Sequence, residues 1–257
     1  MNRLPEEGAG ISEREVVVLG QPIRYEVAGE GEPVVLVHGL SGSTRWWARN
    51  VPALAGRYRV YLVNLPGFGA LHPPGRRFVL AEATGWLVAW MEAVGIEGVN
   101  LVGHSMGGYL SLRVAARRPG VVRRLVLVDP AGVPPDRTMV GHLRPLLLAA
   151  RYGAPSFLPV LVRDALYAGP LTLLRATRDL LAEDVRGDLG RVGMPTLLVW
   201  GERDPLIPPS VGDLMRAELP DSRLLVIEGA GHNPMFDRPE DFNRALLAFL
   251  SGDPVGE

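Results

Sequence analysis

The chain contains no cysteine. Disulfides, thiolate nucleophiles and Cys-ligated zinc or iron–sulfur centres are therefore excluded together. It also contains no lysine, so all 27 basic side chains are arginine. That bias fits a high-GC coding sequence or selection for heat resistance. Arginine alone does not establish the latter, because heat adaptation enriches Lys and Glu across proteomes. No apolar run is long enough to cross a bilayer. The opening MNRLPEEGAGISERE is polar and acidic, with no apolar stretch of the signal-peptide kind, so a cytoplasmic protein is expected. Strong charge of either sign is missing too: the formal net charge is -1 with 21% charged residues. No long-range field would draw in a polyanion, and nucleic acid is not an expected partner. There is no internal repeat and no low-complexity segment.

What the chain does have is 257 residues and 47% hydrophobic content, enough for one substantial core. Short β-branched apolar runs alternate with helix-like segments, the pattern of an α/β protein whose sheet is covered by helices on both faces. Runs at 15–19 and 23–28 flank Gly20-Gln21-Pro22 and predict an opening antiparallel pair. Further strands are predicted at 34–37, 59–63, 99–102, 125–128, 196–200 and 224–227. Their continuous Val/Leu content suits strands buried on both sides. Helices are predicted at 44–54, 80–94, 106–117, 209–218 and 239–250, the last two opening with Pro in the first turn. From 133 to 192 the rhythm breaks. This stretch is rich in Leu, with Arg interleaved and Pro at 145, 155, 159 and 170. It predicts short amphipathic helices inserted between two strands, a candidate cap.

The chemistry centres on Gly103-His104-Ser105-Met106-Gly107, which follows the 99–102 strand and precedes a helix. A strand turning this sharply into a helix strains its turn residue and requires very small neighbours, which Gly103 and Gly107 supply. The turn lifts Ser105 above the sheet, beside the positive end of the next helix. A serine hydroxyl at neutral pH needs a base, and the base needs a third group to hold its tautomer. The chain has 5 histidines. His38 and His104 sit inside tight motifs and read as structural, and His72 and His142 have no motif around them. His232, in Gly229-Ala230-Gly231-His232-Asn233-Pro234, follows a late strand and is the candidate base. The candidate acid is Asp204 in Gly201-Glu202-Arg203-Asp204-Pro205. Asp129, also just past a strand, is its rival, and Glu202 is a third option. Asp129 otherwise reads as support for the base of the cap or the neighbouring turn. Two N–H groups are candidate oxyanion donors: Met106, after the nucleophile, and Leu40, in His38-Gly39-Leu40-Ser41-Gly42-Ser43.

These pieces, together with Asn64-Leu65-Pro66-Gly67-Phe68-Gly69, resemble the α/β-hydrolase superfamily over nearly the whole chain. Asn64 departs from the Asp that relatives often carry, at a turn with no catalytic part. The resemblance implies an eight-stranded, mostly parallel sheet with a helical cap after the sixth strand. In domain terms, 1–132 and 193–257 would form the core and 133–192 the cap. Serine at the elbow sets the chain apart from the haloalkane dehalogenases and epoxide hydrolases of this fold, which use Asp. The remaining branches share one triad, so the triad does not choose among them. The Leu-rich cap suggests an apolar entrance, with Trp46, Met106, Met235 and Phe236 as candidate lining; Trp46 and its neighbour Trp47 read equally well as core. The expected activity is a carboxylesterase of short to medium acyl chains, acting on a small-molecule ester as a monomer or homodimer without metal or cofactor. The alternative is a C–C bond hydrolase of aromatic ring-cleavage products, whose substrate carboxylate Arg144 or Arg151 would hold. A non-catalytic ligand-binding protein of the same fold is the reading from another class.

Overall fold

A computed structural model of the chain describes residues 10–69, 78–134 and 143–255. His72 and His142 lie outside them, as does part of the 133–192 stretch.

β1 (Ser12–Val18) and β2 (Gln21–Ala28) form the opening antiparallel pair. Their turn falls at Leu19-Gly20, one residue earlier than the Gly20-Gln21-Pro22 signal suggests. Both residues have positive φ, 48° and 76°. That is the conformation of a two-residue hairpin whose twist matches the strands. The other strands are β3 (Glu32–Val37), β4 (Tyr58–Val63), β5 (Val99–His104), β6 (Val122–Val128), β7 (Thr196–Gly201) and β8 (Ser222–Ile227). They make one 8-stranded sheet in the order β1-β2-β4-β3-β5-β6-β7-β8. Only β2 runs against the rest.

Side chains alternate between the two faces as a period of two requires. Val35, Val37, Leu125 and Leu127 enter one core layer, and Val34, Leu36, Val126 and Val128 enter the other. Both layers are apolar, which explains the unbroken Val/Leu runs. The first is roofed by α2 (Leu80–Val94), with Trp86 and Trp90, and by α3 (Met106–Arg117), with Leu110 and Leu112. The second holds Trp47 against Phe242, together with Leu54 and Leu246.

The predicted 44–54 helix is two pieces. A 3-10 turn at Thr44–Trp47 is capped by the Ser43 hydroxyl, and α1 (Val51–Ala55) follows with Pro52 in its first turn. A continuous helix would need an N–H from residue 52, which proline lacks. Between β6 and β7 the described residues form helices and no strand: α4 (Leu143–Tyr152), α5 (Leu158–Ala168), α6 (Pro170–Leu181) and α7 (Arg186–Leu189). α8 (Pro209–Glu218), α9 (Pro234–Asp237) and α10 (Pro239–Ser251) complete the chain.

The chain runs from β3 outward to β4 and then crosses back to β5 on the other side of β3. Such a reversal opens a crevice beyond the carboxyl ends of the two diverging strands. The 38–43 loop and Ser105 leave β3 and β5 at that crevice.

Candidate active site

Ser105 has φ 51° and ψ -115°, a strained conformation for a residue with a side chain. Its surroundings hold it there. The Ser105 N–H donates to the Val128 carbonyl at 2.9 Å, and its carbonyl accepts from Tyr109 at 3.0 Å and Ala131 at 3.1 Å. A Cβ at position 103 would overlap the Gly107 carbonyl, and one at 107 would overlap the carbonyls of Val37 and His38. The two glycines of the motif are therefore required by close backbone approach.

His232 brings the sequence-predicted triad together. Its Nδ1–H donates to Asp204 Oδ2 at 2.6 Å, and its Nε2 faces Ser105 Oγ at 3.1 Å. Both are hydrogen-bond distances, and the order of partners leaves Nε2 free of its proton and able to accept one. Asp204 is buried. Its second oxygen accepts the Leu206 and Ile207 N–H groups at 2.8 and 3.1 Å, which fixes the carboxylate plane. Ser105 itself is only 9% exposed.

His38 and His104 hold structure, each by its own tautomer. His38 Nδ1–H donates to Gly39 O at 2.8 Å while Nε2 accepts the Leu65 N–H at 3.0 Å, tying β3 to the turn after β4. His104 donates from Nε2 to the His232 carbonyl at 2.7 Å. Burial, and then the neighbouring His232, hold His104 well below the usual imidazole range, so it stays neutral. Asn64 accepts the Thr44 N–H at 2.9 Å, a turn-holding contact.

Leu40 lies in the loop after β3 and Met106 directly follows Ser105, the two candidate oxyanion donors. Met106 opens α3, so its N–H has no partner within the helix. Gly39 packs so tightly on the elbow that a Cβ there would lie 3.2 Å from Ser105 Cβ. Among the described residues, no protein acceptor takes the Leu40 or Met106 N–H. The candidate lining residues are buried. Trp46 lies 5.6 Å from the His104 ring and 5.0 Å from Phe157, and the Phe157 and Phe236 rings meet at a tilt, 4.7 Å apart. Met235 is fully enclosed in the second core layer.

Three carboxylates matter that have no triad role. Asp129 is fully buried at φ 40°. Its Oδ1 accepts the Gly201 N–H at 3.0 Å, so it braces the start of the loop that carries Asp204 rather than the cap. No N–H or O–H donor faces its Oδ2. Burial first, and then the adjacent Asp204, push it well above the usual carboxylate range. Two ionised carboxylates side by side in that dry space would repel, so burial and the Asp204 charge both favour the neutral form of Asp129. Asp164 of α5 accepts from Ser43 Oγ at 2.6 Å and from Trp46 Nε1 at 3.0 Å, linking the inserted helices to the loop beside the elbow. Asp237 accepts the Ala154 N–H at 2.8 Å with one oxygen and the Gly231 N–H at 3.0 Å with the other. The sequence offers one faint signal for Asp164, a charged residue on the otherwise apolar inner stripe of α5. Asp237 has none.

Glu202, the third acid considered, accepts the Gly229 N–H at 2.9 Å at the protein surface. Side-chain atoms of His104, Asp129 and His232 come within 4.8 Å of one another, a spacing a metal ion could use. Both His232 nitrogens are already committed to Asp204 and Ser105, and burial disfavours the ionised carboxylate at Asp129 that a metal would need. Arg151 on α4 is exposed, and the side chain of Arg144 lies outside the described residues.

A serine on a strained strand-to-helix turn, a histidine from the loop after β8 and a carboxylate from the loop after β7 have the arrangement of a hydrolase site of the α/β type. The chain belongs to the alpha/beta hydrolase family, whose sequence model matches residues 34–245. Among relatives matched over most of their length is the pimeloyl-[acyl-carrier protein] methyl ester esterase of Aeromonas hydrophila. It is 30% identical over 89% of this chain and 99% of the relative. The 2-hydroxy-6-oxo-6-phenylhexa-2,4-dienoate hydrolase of Comamonas testosteroni is 30% identical over 89% of this chain and 91% of the relative. Among solved structures, a bacterial membrane phospholipase A described as a virulence factor superposes with a TM-score of 0.82. It is 28% identical and the match covers 95% of this chain and 86% of that one.

Proposed function

We propose that the protein is a serine carboxylesterase acting on short to medium acyl esters, with Ser105 as nucleophile, His232 as base and Asp204 as orienting acid. The observation that carries this reading is the placement of His232, with Nδ1 on Asp204 at 2.6 Å and Nε2 on Ser105 at 3.1 Å. His232 Nε2 takes the Ser105 proton as Oγ attacks the ester carbonyl. The oxyanion rests on the Leu40 and Met106 N–H groups, each such donor being worth about 3 kcal/mol in the transition state. His232 then gives its proton to the leaving alcohol. A water, deprotonated in turn by His232, attacks the acyl-enzyme and frees Ser105. Residues 133–192 are the cap over a core made of 1–132 and 193–257. In this reading Trp46 borders the acyl site beside His104, while Met235 and Phe236 back it from the core.

The two named relatives point to different bonds, an ester and a C–C bond. A C–C hydrolase of ring-cleavage products needs a cation for the substrate carboxylate. The test is hydrolysis of p-nitrophenyl esters from acetyl to palmitoyl, with Ser105→Ala as control. Turnover that disappears in the variant is expected, with an optimum at short to medium chains. No turnover on any ester refutes the reading.

A further inference from the structure

Two adjoining helices carry large apolar side chains that point away from the core. On α5, Leu158, Val162 and Leu166 recur every four residues and form one exposed stripe, with Tyr167 beside it. On α6, Leu171 and Leu174 continue it. Leu166 is 78% exposed and Leu171 65%. Isolated exposed leucines are ordinary, but a contiguous set of this kind marks a surface that meets something apolar. The inner sides of the same helices are packed, through Asp164, Ala168 and Ala176. The stripe is therefore left over after the fold has buried what it needs.

The charges around the stripe are one-sided. Among the described side chains of α4, α5 and α6, the exposed charged residues are Arg151, Arg163, Arg175, Arg178 and Asp179. Asp179 lies 3.7 Å from Arg178. The whole chain carries a net charge of -1, so this excess of arginine is local. No single described helix is long and apolar enough to span a bilayer, and the two segments Pro155–Ala168 and Pro170–Leu181 meet at 96°. Short, bent, two-sided helices with arginine at the edges suit lying in an interface rather than crossing it.

We propose that the outer face of α5 and α6 docks the protein peripherally on an anionic lipid surface, leucines in the acyl region and arginines among the headgroups. A second copy of the chain is the weaker occupant. A two-fold pair would set the same patch against itself, bringing arginines against arginines. The inference goes beyond the ester reading and does not need it, since docking is measured by binding and not by turnover.

The test is co-sedimentation of the full chain with vesicles of phosphatidylcholine alone and of equal parts phosphatidylcholine and phosphatidylglycerol. Binding to the anionic vesicles is expected to be roughly tenfold tighter or more, and to weaken with salt. The pair Arg163→Gln and Arg175→Gln should lose roughly fivefold per arginine on anionic vesicles. The pair Leu166→Asp and Leu174→Asp should abolish binding with an unchanged melting temperature, because both side chains are exposed. Equal sedimentation with and without phosphatidylglycerol would overturn the proposal. So would self-association in light scattering that the leucine variants abolish while vesicles leave the protein in the supernatant.

Discussion

Replacing Asp129 by Asn tests whether a neutral carboxyl stands behind the acid of the triad. Asp129 is fully buried, accepts the Gly201 N–H through Oδ1 and has no donor facing Oδ2. Its raised proton affinity means that the folded chain holds a proton which the unfolded chain releases above pH about 4. Stability therefore falls as pH rises from that ordinary carboxylate value toward the raised one in the folded state. The slope is about 1.4 kcal/mol per pH unit. For a chain of this size that is roughly 3–5 °C in melting temperature per pH unit. Asn keeps the acceptor for Gly201 and offers an N–H toward Asp204, with nothing to ionise. The variant should match the wild type near pH 4 and gain on it as pH rises from there toward the raised value of the folded state, with ester turnover within a few-fold. The assay is thermal melting of both proteins in matched buffers across that window. A difference that stays flat with pH would show that Asp129 takes up no proton on folding. A difference that grows in favour of the wild type would show an ionised, stabilised carboxylate.

The other predictions concern the neighbouring carboxylates. Asp204→Asn should leave the fold intact, because the amide oxygen can still accept from Leu206 and Ile207. It should lower kcat on the order of 10⁴-fold by releasing the His232 tautomer, measured by steady-state kinetics on a p-nitrophenyl ester. Asp164→Ala strips Ser43 Oγ and Trp46 Nε1 of their shared acceptor and should cost about 2 kcal/mol, a drop of roughly 4–8 °C by calorimetry. Asp164→Asn, which keeps one acceptor oxygen, should lose less. An unchanged melting temperature in the Ala variant would mean that the link between α5 and the 43–46 loop does not hold the inserted helices down.

The site was legible where chemistry follows directly from a strand end. Ser105, Asp204 and His232 each stand just past a run of Val and Leu. In a parallel sheet those ends meet at one edge, so local pattern alone brought distant residues together. Helix limits came through well in α2, α3 and α8, which match residue for residue; left-handed Gly95 closes α2, the Ser105 turn opens α3 and Pro209 opens α8. The 44–54 segment did not, because the apolar period continues across Pro52 while the hydrogen-bond ladder cannot. The opening turn shifted by one residue because Leu19, not a usual left-handed residue, takes positive φ beside Gly20. Asp129, Asp164 and Asp237 were opaque for a different reason. Their partners are backbone or side-chain groups distant in sequence (Asp164 and Ser43 are 121 positions apart), and an isolated Asp carries no spacing signal. Asp129 could be named from its strand-end position as a rival acid, yet its protonation depends on packing against Asp204, which only the folded chain supplies.

Asp237 gives the protein a mechanical property that neither of its hydrogen bonds has alone. One oxygen secures residue 154, where α4 gives way to α5, and the other secures the residue just before His232. Whatever shifts the inserted helices also tugs the peptide that aims the imidazole. The His232 imidazole is thus not independent of the inserted helices, and its alignment works as a strain gauge for them. Substitutions far out on α4 or α5 can then alter turnover without touching a reacting atom, and their effect would run through this one carboxylate.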